Sequence, residues 1–288
     1  MTYAYYPGCW LHATAVDYHE STLAVAKAMG IDLVEVPDWS CCGSTPAHCM
    51  DELLAAGLPA KNLISAGTIA EEMVVCCSAC FSRFKFAQKH IEEKPNLRAQ
   101  LDTMMSTEDA SRVKVRHFID VLSQDVGAER IAQAKQRDLD LKVVCYYGCL
   151  LTRPPKVTEF DDAEDPRSMD ELLAAAGLET VDWPFKTECC GASFSLTRTE
   201  IVLRLAGEIL QMAKEAGADC ISVACPLCHA NLDMRQQDIE KKLGVEYGIP
   251  IFYFTQLLGM AFGLEKGELG IGRALVSSDE LLAAKGVE

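Results

Sequence analysis

Short apolar runs recur along the chain, and most of them lead towards a turn that contains cysteine or glycine. Runs of this length, bounded by turn residues, are typical of buried strands, and alternating apolar and polar residues are typical of a half-buried strand. The pattern therefore predicts strands at residues 3–6, 31–36, 73–75, 142–146, 221–223 and 251–254.

Segments with a helical spacing of apolar residues separate these runs. The segment 13–29 ends before Gly30, and glycine often follows the last turn of a helix. The spacing predicts helices at residues 13–29, 81–92, 230–242 and 255–262. Because strands that alternate with helices form βαβ units, we expect an α/β protein with mainly parallel sheets.

The cysteines divide the chain into two similar halves. The first half has Cys9, then Cys41-Cys42-Gly43, then Cys77-Ser-Ala-Cys80, and the second has Cys149, then Cys189-Cys190-Gly191, then Cys225-Pro-Leu-Cys228. In both halves 34 residues separate the Cys-Cys pair from the Cys-x-x-Cys motif, which indicates an internal repeat. The gap before the pair is 31 residues in the first half and 39 in the second, so the acidic stretch 161–166 is interpreted as a loop insertion.

The repeat predicts two pseudo-symmetric domains, each a mainly parallel sheet flanked by helices. We place the boundary near Leu139, so that residues 1–139 form the first half and residues 140–288 the second. The first half then ends in a polar, helix-prone linker from about residue 92, and the second ends in a C-terminal tail. All the cysteine motifs are expected on loops at strand ends, where open α/β sheets bind their ligands.

Charge and hydropathy restrict the class of protein. The formal net charge of −15 argues against binding to nucleic acid, whose phosphates attract basic surfaces. No apolar run approaches the ~20 residues that cross a bilayer, and the N-terminal residues lack the pattern of a signal peptide. We therefore expect a cytoplasmic protein that does not span the membrane. In that reducing compartment, 14 cysteines indicate metal ligands or catalytic thiols in place of structural disulfides.

Each half offers five cysteines, and two of the five are adjacent in the chain. Structural zinc takes four ligands, and adjacent cysteines do not easily reach one small tetrahedral ion together. The same five thiolates suit an extended iron–sulfur cluster, in which adjacent cysteines reach different irons. Zinc in one or both halves, and a redox-active Cys-Cys pair without metal, remain as alternatives.

Four cysteines lie outside the two sets of five. Cys76, Cys145 and Cys220 lie in or beside apolar strand-like runs and are interpreted as small core residues. Cys49 follows the first Cys-Cys pair closely, so we expect core packing or a role behind the ligands.

Three further side chains lie close to the cysteine motifs. His12 and His229 are each within three positions of a cysteine of the sets, and are candidate proton donors or hydrogen-bonded structural residues. Arg153 follows Cys149, and either binds a substrate carboxylate or phosphate or forms a surface ion pair.

The doubled pattern Cys…Cys-Cys-Gly…Cys-x-x-Cys resembles the CCG domain found in the B subunit of heterodisulfide reductase. The resemblance extends from Tyr5 to about Gly263 and includes the segments 147–154, 188–191, 225–233 and 248–259. It implies that each half holds one noncubane [4Fe–4S] cluster on its five cysteines. The implied ligands are Cys9, Cys41, Cys42, Cys77 and Cys80 for the first cluster, and Cys149, Cys189, Cys190, Cys225 and Cys228 for the second.

The resemblance also implies an activity and partners. It implies the catalytic subunit of a complex that reduces a small disulfide or heterodisulfide to two thiols, as CoB–CoM heterodisulfide reductase does. The two clusters would face a shared cavity, and the electrons would come from a ferredoxin-like iron–sulfur C subunit, which a flavin-containing A subunit supplies. Relatives with the same double motif leave an alternative: a non-catalytic electron-transfer subunit of a respiratory or a lactate or glycerol-3-phosphate dehydrogenase complex.

Overall fold

The fold contains two four-stranded sheets, one in each half, in which all strands are parallel. The structure is a computed structural model, and it describes residues 1–44 and 47–286. The first sheet has the order β2-β1-β3-β4 and the second the order β6-β5-β7-β8. The strands are β1 (Thr2–Tyr6), β2 (Asp32–Glu35), β3 (Glu72–Val75), β4 (Lys114–His117), β5 (Lys142–Tyr146), β6 (Glu179–Thr180), β7 (Cys220–Val223) and β8 (Ile251–Tyr253).

Helices flank both sheets. In the first half they are α1 (Gly8–Ala13), α2 (Val16–Ala28), α3 (Ala47–Met50), α4 (Glu52–Gly67), α5 (Ser78–Glu93), α6 (Pro95–Asp102), α7 (Thr107–Arg112), α8 (Phe118–Val121) and α9 (Gly127–Ala134), with a π-helical turn at Leu122–Val126. In the second half they are α10 (Cys149–Thr152), α11 (Pro155–Thr158), α12 (Ser168–Ala175), α13 (Thr199–Glu215), α14 (Pro226–Asp233), α15 (Gln236–Leu243), α16 (Phe254–Ala261) and α17 (Asp279–Ala284), with a 3₁₀ turn at Ala192–Phe194. The predicted α/β class with two mainly parallel sheets is confirmed.

One predicted helix begins later than expected, and another is divided into two. The segment predicted as one helix at 13–29 begins only at Val16, and the shorter α1 precedes it. The segment predicted at 230–242 consists of α14 and α15, which Met234 and Arg235 separate. Apolar spacing marks the buried face of such a segment, but it does not reveal where the backbone leaves the helix.

The linker predicted from about residue 92 is not entirely helical, because it contains β4, the fourth strand of the first sheet. The strand reads Lys-Val-Arg-His, which is too polar to be recognised as a buried strand. Arg116 is nevertheless only 5% exposed, because its guanidinium pairs with Glu72, Asp120 and Asp125 at 2.5–3.1 Å. An arginine side chain that is paired with carboxylates can therefore be buried in a strand whose polar sequence indicates exposure to solvent.

The acidic stretch 161–166 is a loop, as the extra spacing predicts. Below it lies Lys186, which is 2% exposed and whose Nζ lies 3.1 Å from Asp165 and 3.2 Å from Asp170. The Lys186 carbonyl accepts hydrogen bonds from the backbone N–H groups of Tyr147 and Gly148. This lysine therefore connects the inserted loop to the turn that carries Cys149.

The two halves pack on one another through helices and share one core. α5 contacts α10 and α11, α2 contacts α16, and α9 contacts α12. Cys76, Cys145 and Cys220 are fully buried in that core, as predicted. The boundary between residues 1–139 and 140–288 agrees with the position of the two sheets and stays a prediction.

Candidate functional site

The ten cysteines of the two sets lie just beyond the carboxyl ends of the strands. The Cys-Cys pairs follow β2 and β6 on loops, and Cys77 and Cys225 lie at the N-caps of α5 and α14. Four cysteines lie in the first turn of a helix and not on a loop, the position predicted for all of the motifs. They are Cys9, Cys80, Cys149 and Cys228. The N-terminal end of a helix stabilises a thiolate, so these positions favour metal ligation.

Tyr6 marks the centre of the first cysteine set. Burial raises the pKa of its hydroxyl, and the charges of four neighbouring thiols raise the pKa further: those of Cys80, Cys42, Cys41 and Cys9. The hydroxyl donates a hydrogen bond to the Ser40 carbonyl at 2.8 Å, immediately before the Cys-Cys pair. Tyr6 thus ties the end of β1 to the loop that carries two of the thiols.

Tyr146 occupies the equivalent position in the second set. Burial raises the pKa of its hydroxyl, and so do the charges of Cys190, Cys228, Cys149 and Cys189. Its hydroxyl donates to the Glu188 carbonyl at 2.7 Å, again immediately before the Cys-Cys pair. The sequence carried a signal for this role, since a tyrosine precedes the first cysteine by three positions in both halves.

Sulfur atoms within the first set are in direct contact. The Sγ atoms of Cys42 and Cys80 lie 3.2 Å apart, and Cys41 Sγ accepts a hydrogen bond from the backbone N–H of Gly43 at 3.4 Å. Hydrogen bonds from Cys41 and Cys80 lower the pKa of the Cys42 thiol well below its usual value. Cys77 interacts with Cys80, and the charge of Cys9 acts on Cys41, so the five thiols form one cluster.

The second set repeats these contacts. The Sγ atoms of Cys190 and Cys228 lie 3.6 Å apart, and Cys189 Sγ accepts from the Gly191 N–H at 3.3 Å. A hydrogen bond from Cys149, together with that N–H group, lowers the pKa of Cys189 to about 6. The neighbouring thiol and the backbone donor therefore favour the thiolate form of Cys189, which is the form that binds metal.

The two sets meet at the interface between the halves. The interaction with Cys225 of the second set is the largest cause of the raised pKa of the Cys77 thiol, so these two thiols lie close together across the interface. Both residues are almost fully buried. The two cysteine sites are therefore adjacent at these two thiols.

Glycine is required at the turn before the first cysteine of each set. Gly8 and Gly148 have φ values of +70° and +71°, which side chains other than glycine rarely adopt. A Cβ at Gly148 would lie 3.0 Å from the Sγ of Cys228, and one at Gly8 would lie 3.4 Å from the Sγ of Cys80. The backbone thus passes close to the sulfur atoms in both halves. Gly43 and Gly191 also have positive φ values, which agrees with the sharp turn predicted there.

A cavity of about 160 Å³ lies between the halves, and none of the described residues that line it is a cysteine of the two sets. Its lining includes Trp10 and Pro226, each adjacent in sequence to a cysteine of the sets, together with His229, Asp17 and Tyr253. It is smaller than the roughly 300–1,000 Å³ of most small-molecule sites. It is therefore large enough for only a short part of a substrate.

Neither candidate histidine is free. His12 Nε2 lies 3.3 Å from Glu35 Oε1, and the His12 ring packs edge-on against Trp39. His229 is buried, its Nε2 bonds to the Ile251 carbonyl at 3.1 Å, and its ring stacks on Tyr253 at 4.4 Å. These contacts favour the structural interpretation, and proton donation by either residue stays a prediction.

Arg153 forms an ion pair with a neighbouring side chain. This agrees with the second interpretation of this residue, and not with the binding of a substrate carboxylate or phosphate. Its guanidinium lies 2.7 Å from Glu164 and bonds to the Ala163 carbonyl and the Thr187 hydroxyl. The residue therefore holds the inserted acidic loop.

The prediction of core packing for Cys49 is wrong, because this thiol is exposed. It lines a cavity of about 380 Å³ together with His48, Arg83, Phe86 and His90. The Arg83 guanidinium stacks over the Phe86 ring at 4.9 Å and lies within charge range of Cys42 and Cys49.

The donor set fits an extended iron–sulfur cluster in its chemistry. Each site offers five soft sulfur ligands, two of them adjacent, with backbone N–H groups directed at sulfur. Within residues 1–44 and 47–286, no group of three or more His, Cys, Asp or Glu side chains is arranged to hold one metal ion.

Comparison with known proteins gives the family. The model of the CCG family, a cysteine-rich domain, matches residues 3–85 and again residues 143–233. These two matches cover more than half of the chain, so the protein belongs to the CCG cysteine-rich domain family. Each of the two cysteine sites lies within one copy of that domain.

Two curated relatives extend over nearly the whole chain. One is the B subunit of the ferredoxin/F420H2-dependent CoB-CoM heterodisulfide reductase of Methanosarcina acetivorans, which is 29% identical over 96% of this chain and 94% of its own length. Another is the membrane anchor subunit of the 8-methylmenaquinol:fumarate reductase of Wolinella succinogenes, which is 28% identical over 97% of this chain and 98% of its own length.

A solved structure has the same fold. The crystal structure of a hypothetical protein from Helicobacter pylori superposes with a TM-score of 0.75 over 96% of this chain, at 12% identity. This chain spans about half (52%) of that protein. None of the helices in the described part of the chain is long and apolar enough to cross a membrane.

Proposed function

We propose that this chain is the catalytic subunit of a heterodisulfide-reductase-like complex, which reduces a small disulfide to two thiols. The observation that carries the proposal is the meeting of two matched five-cysteine sites at Cys77 and Cys225. A disulfide has two sulfur atoms that each become a thiol on reduction, so two matched sites beside one cavity suit this substrate. The relationship to the B subunit of a heterodisulfide reductase supports the same reaction.

Each site would hold one noncubane [4Fe–4S] cluster. The proposed ligands are the ten cysteines of the two sets: Cys9, Cys41, Cys42, Cys77 and Cys80, and Cys149, Cys189, Cys190, Cys225 and Cys228. When bound, such clusters take up and pass on single electrons. Zinc in place of one cluster is the alternative that metal analysis would reveal.

The protein's own groups have identifiable tasks in this scheme. The N–H groups of Gly43 and Gly191 donate a hydrogen bond to the first sulfur of the Cys-Cys pair in each set. Tyr6 and Tyr146 hold the Cys-Cys loops against the strand ends. The cavity beside Trp10 and His229 would receive the reacting end of the substrate.

Reduction of a disulfide consumes two electrons and two protons and yields two thiols. In this scheme a partner supplies the electrons, in agreement with the multi-subunit reductases to which the relatives belong. The direct donor would be a ferredoxin-like iron–sulfur C subunit, with a flavin-containing A subunit behind it. The protons would come from His12, His229 or water.

Metal analysis and spectroscopy test the proposal directly. Anaerobically purified protein should contain about eight irons per chain, four for each cluster. Oxidant together with a cognate thiol should produce a paramagnetic signal. Four irons and one zinc per chain, without a thiol-dependent signal, would contradict the two-cluster model.

A second candidate is an electron-transfer subunit without a substrate of its own. The relationship to a fumarate reductase anchor subunit favours it. Electron relay needs only one cluster site and no cavity, whereas this chain retains five cysteines in both sites. Rapid reduction and reoxidation of the iron, with no reduction of any disulfide, would favour this candidate.

A further inference from the structure

The two Cys-x-x-Cys turns are joined by hydrogen bonds that cross the interface. The residues immediately before these turns are Cys76 and Ala224, which occupy equivalent positions in the two halves. The Tyr18 hydroxyl donates to the Cys76 carbonyl at 3.0 Å and lies 3.4 Å from the Ala224 carbonyl. His117 Nε2 lies 2.9 Å from the first carbonyl and 3.3 Å from the second. Two donors therefore share the same two acceptors.

The protonation of His117 follows from its other ring nitrogen. Nδ1 accepts a hydrogen bond from the backbone N–H of Ile119 at 3.3 Å, so the proton of the neutral ring must be on Nε2. Burial lowers the pKa of His117 to about 4, and the ring is neutral at pH 7. His117 is thus a donor to the two carbonyls, as Tyr18 is.

Rigid neighbours hold both donors in place. Tyr18 is fully buried, and its ring stacks on Tyr253 at 4.0 Å with an interplanar angle of 5°. His117 is fully buried at the end of β4, and its ring packs against Phe81. Both donors belong to the first half, whereas one of the two carbonyls belongs to the second.

We propose that Tyr18 and His117 are positioning residues that fix the distance between the two cysteine sites. A carbonyl needs only one donor to be satisfied, but each of these carbonyls lies within reach of both donors. Ser78 Oγ, at 3.1 Å from the Ala224 carbonyl, adds a third bond across the interface. The inference deepens the proposed function and rests on it in one respect: a fixed distance lets both sites act on one disulfide.

Hydrogen exchange of the intact purified protein tests the clamp that Tyr18 and His117 form. Tyr18→Phe removes one donor and keeps the ring, and His117→Asn removes the other while an acceptor remains near Nδ1. In the double variant, amides of residues 76–81 and of residues 224–229 should both exchange about tenfold faster, because shared hydrogen bonds hold both turns closed. Exchange that accelerates only in the first half would overturn the proposal, since it would indicate local packing alone.

Two controls separate positioning from general destabilisation. Tyr3→Phe also removes a hydroxyl from a buried tyrosine, one that bonds to Asp125 and to neither turn, and should leave exchange in both turns unchanged. His117→Gln restores a donor near the position of Nε2 and should return exchange towards the wild-type rate. Acceleration in Tyr3→Phe equal to that in Tyr18→Phe would contradict the clamp.

A kinetic measurement links the clamp to the reaction. In Tyr18→Phe the iron content and the one-electron reduction by dithionite should remain unchanged, while disulfide reduction falls about tenfold, the factor expected for one lost hydrogen bond. Unchanged disulfide reduction would show that the clamp does not serve the reaction. If the wild-type protein reduces no disulfide at all, the proposed function fails, whereas the exchange experiment still decides whether the clamp exists.

Discussion

The two cysteine sites are built from the same strand, turn and helix units, yet different side chains support them. In the first half a neutral amide holds the Cys-Cys loop, because Asn62 bonds to both the N–H and the carbonyl of Ser40. In the second half a buried ammonium group anchors the segment before the Cys-Cys pair, because Lys186 Nζ pairs with Asp165 and Asp170 while the Lys186 carbonyl accepts from the turn before Cys149.

The helices that carry the last cysteine differ in the same way. Three residues after Cys228, Asn231 bonds to the Cys190 carbonyl at 3.0 Å and to its sulfur at 3.6 Å. Three residues after Cys80, Arg83 brings a positive charge to the equivalent place and forms no ion pair within the described residues. The ligand pattern is therefore repeated, whereas the electrostatic surroundings are not. We expect the two sites to differ in stability and in reduction potential.

Replacing one cysteine should have the largest effect, and it tests whether the sites are independent. Cys190→Ala should remove the second cluster, leave about four irons per chain and abolish disulfide reduction. Cys42→Ala should do the same to the first site. Cys220→Ala, which changes a core thiol outside both sets, is the control and should keep all the iron. Loss of all iron in Cys190→Ala would contradict independent assembly.

Lys186→Met should produce the next largest effect, and only in the second half. The substitution removes one partner of a buried ion pair and leaves Asp170 with the Tyr147 hydroxyl as its remaining side-chain donor. Loss of one partner of a buried pair typically destabilises by about 3–5 kcal/mol. Thermal unfolding measures this loss, with Lys142→Met, an exposed lysine paired at 3.7 Å, as control.

The pH dependence of that variant has a defined sign. Burial already raises the pKa of Asp170, and removal of Lys186 raises it further. A carboxyl whose pKa is higher in the folded state loses stability as the pH rises above its unfolded value. The deficit of Lys186→Met should therefore be small near pH 4 and larger at pH 7. A deficit that is constant with pH would show that packing, and not charge, causes the loss.

Asn231 and Arg83 form the next comparison. Asn231→Ala leaves the Cys190 carbonyl without its amide donor and should destabilise by about 1–3 kcal/mol. Arg83→Ala should hardly change stability, but it removes a positive charge near Cys42 and should lower the reduction potential of the first site. Chemical denaturation and a redox titration measure the two effects. An equal change of potential at both sites would contradict a local effect of Arg83.

Local patterns predicted the repeat, the position of the motifs at strand ends and the parallel sheets. Each of these depends on short motifs, such as Tyr146-Tyr-Gly-Cys149, and on the spacing between them, both of which can be read along the chain. The strand β4 was missed because Arg116 is buried only through carboxylates brought in from other segments.

Contacts across the interface were also out of reach of the sequence. The pairing of Tyr18 with the Ala224 carbonyl and of Cys77 with Cys225 depends on how the two halves pack. Nothing in the spacing of either half specifies that packing. Cys49 was misjudged for a different reason: its surroundings are set by α5, which is distant in sequence within the same half and lines the same cavity.

The two central tyrosines give the smallest and most closely matched difference. Tyr6→Phe removes the hydrogen bond to the Ser40 carbonyl, but the Asn62 amide still donates to that oxygen at 3.0 Å. Tyr146→Phe removes the hydrogen bond to the Glu188 carbonyl, which has no such amide beside it within the described residues. We expect a loss of about 0.5 kcal/mol in Tyr6→Phe and about 1.5 kcal/mol in Tyr146→Phe, measured by chemical denaturation. Because the two substitutions are chemically identical, equal losses would show that Asn62 does not compensate in the first half.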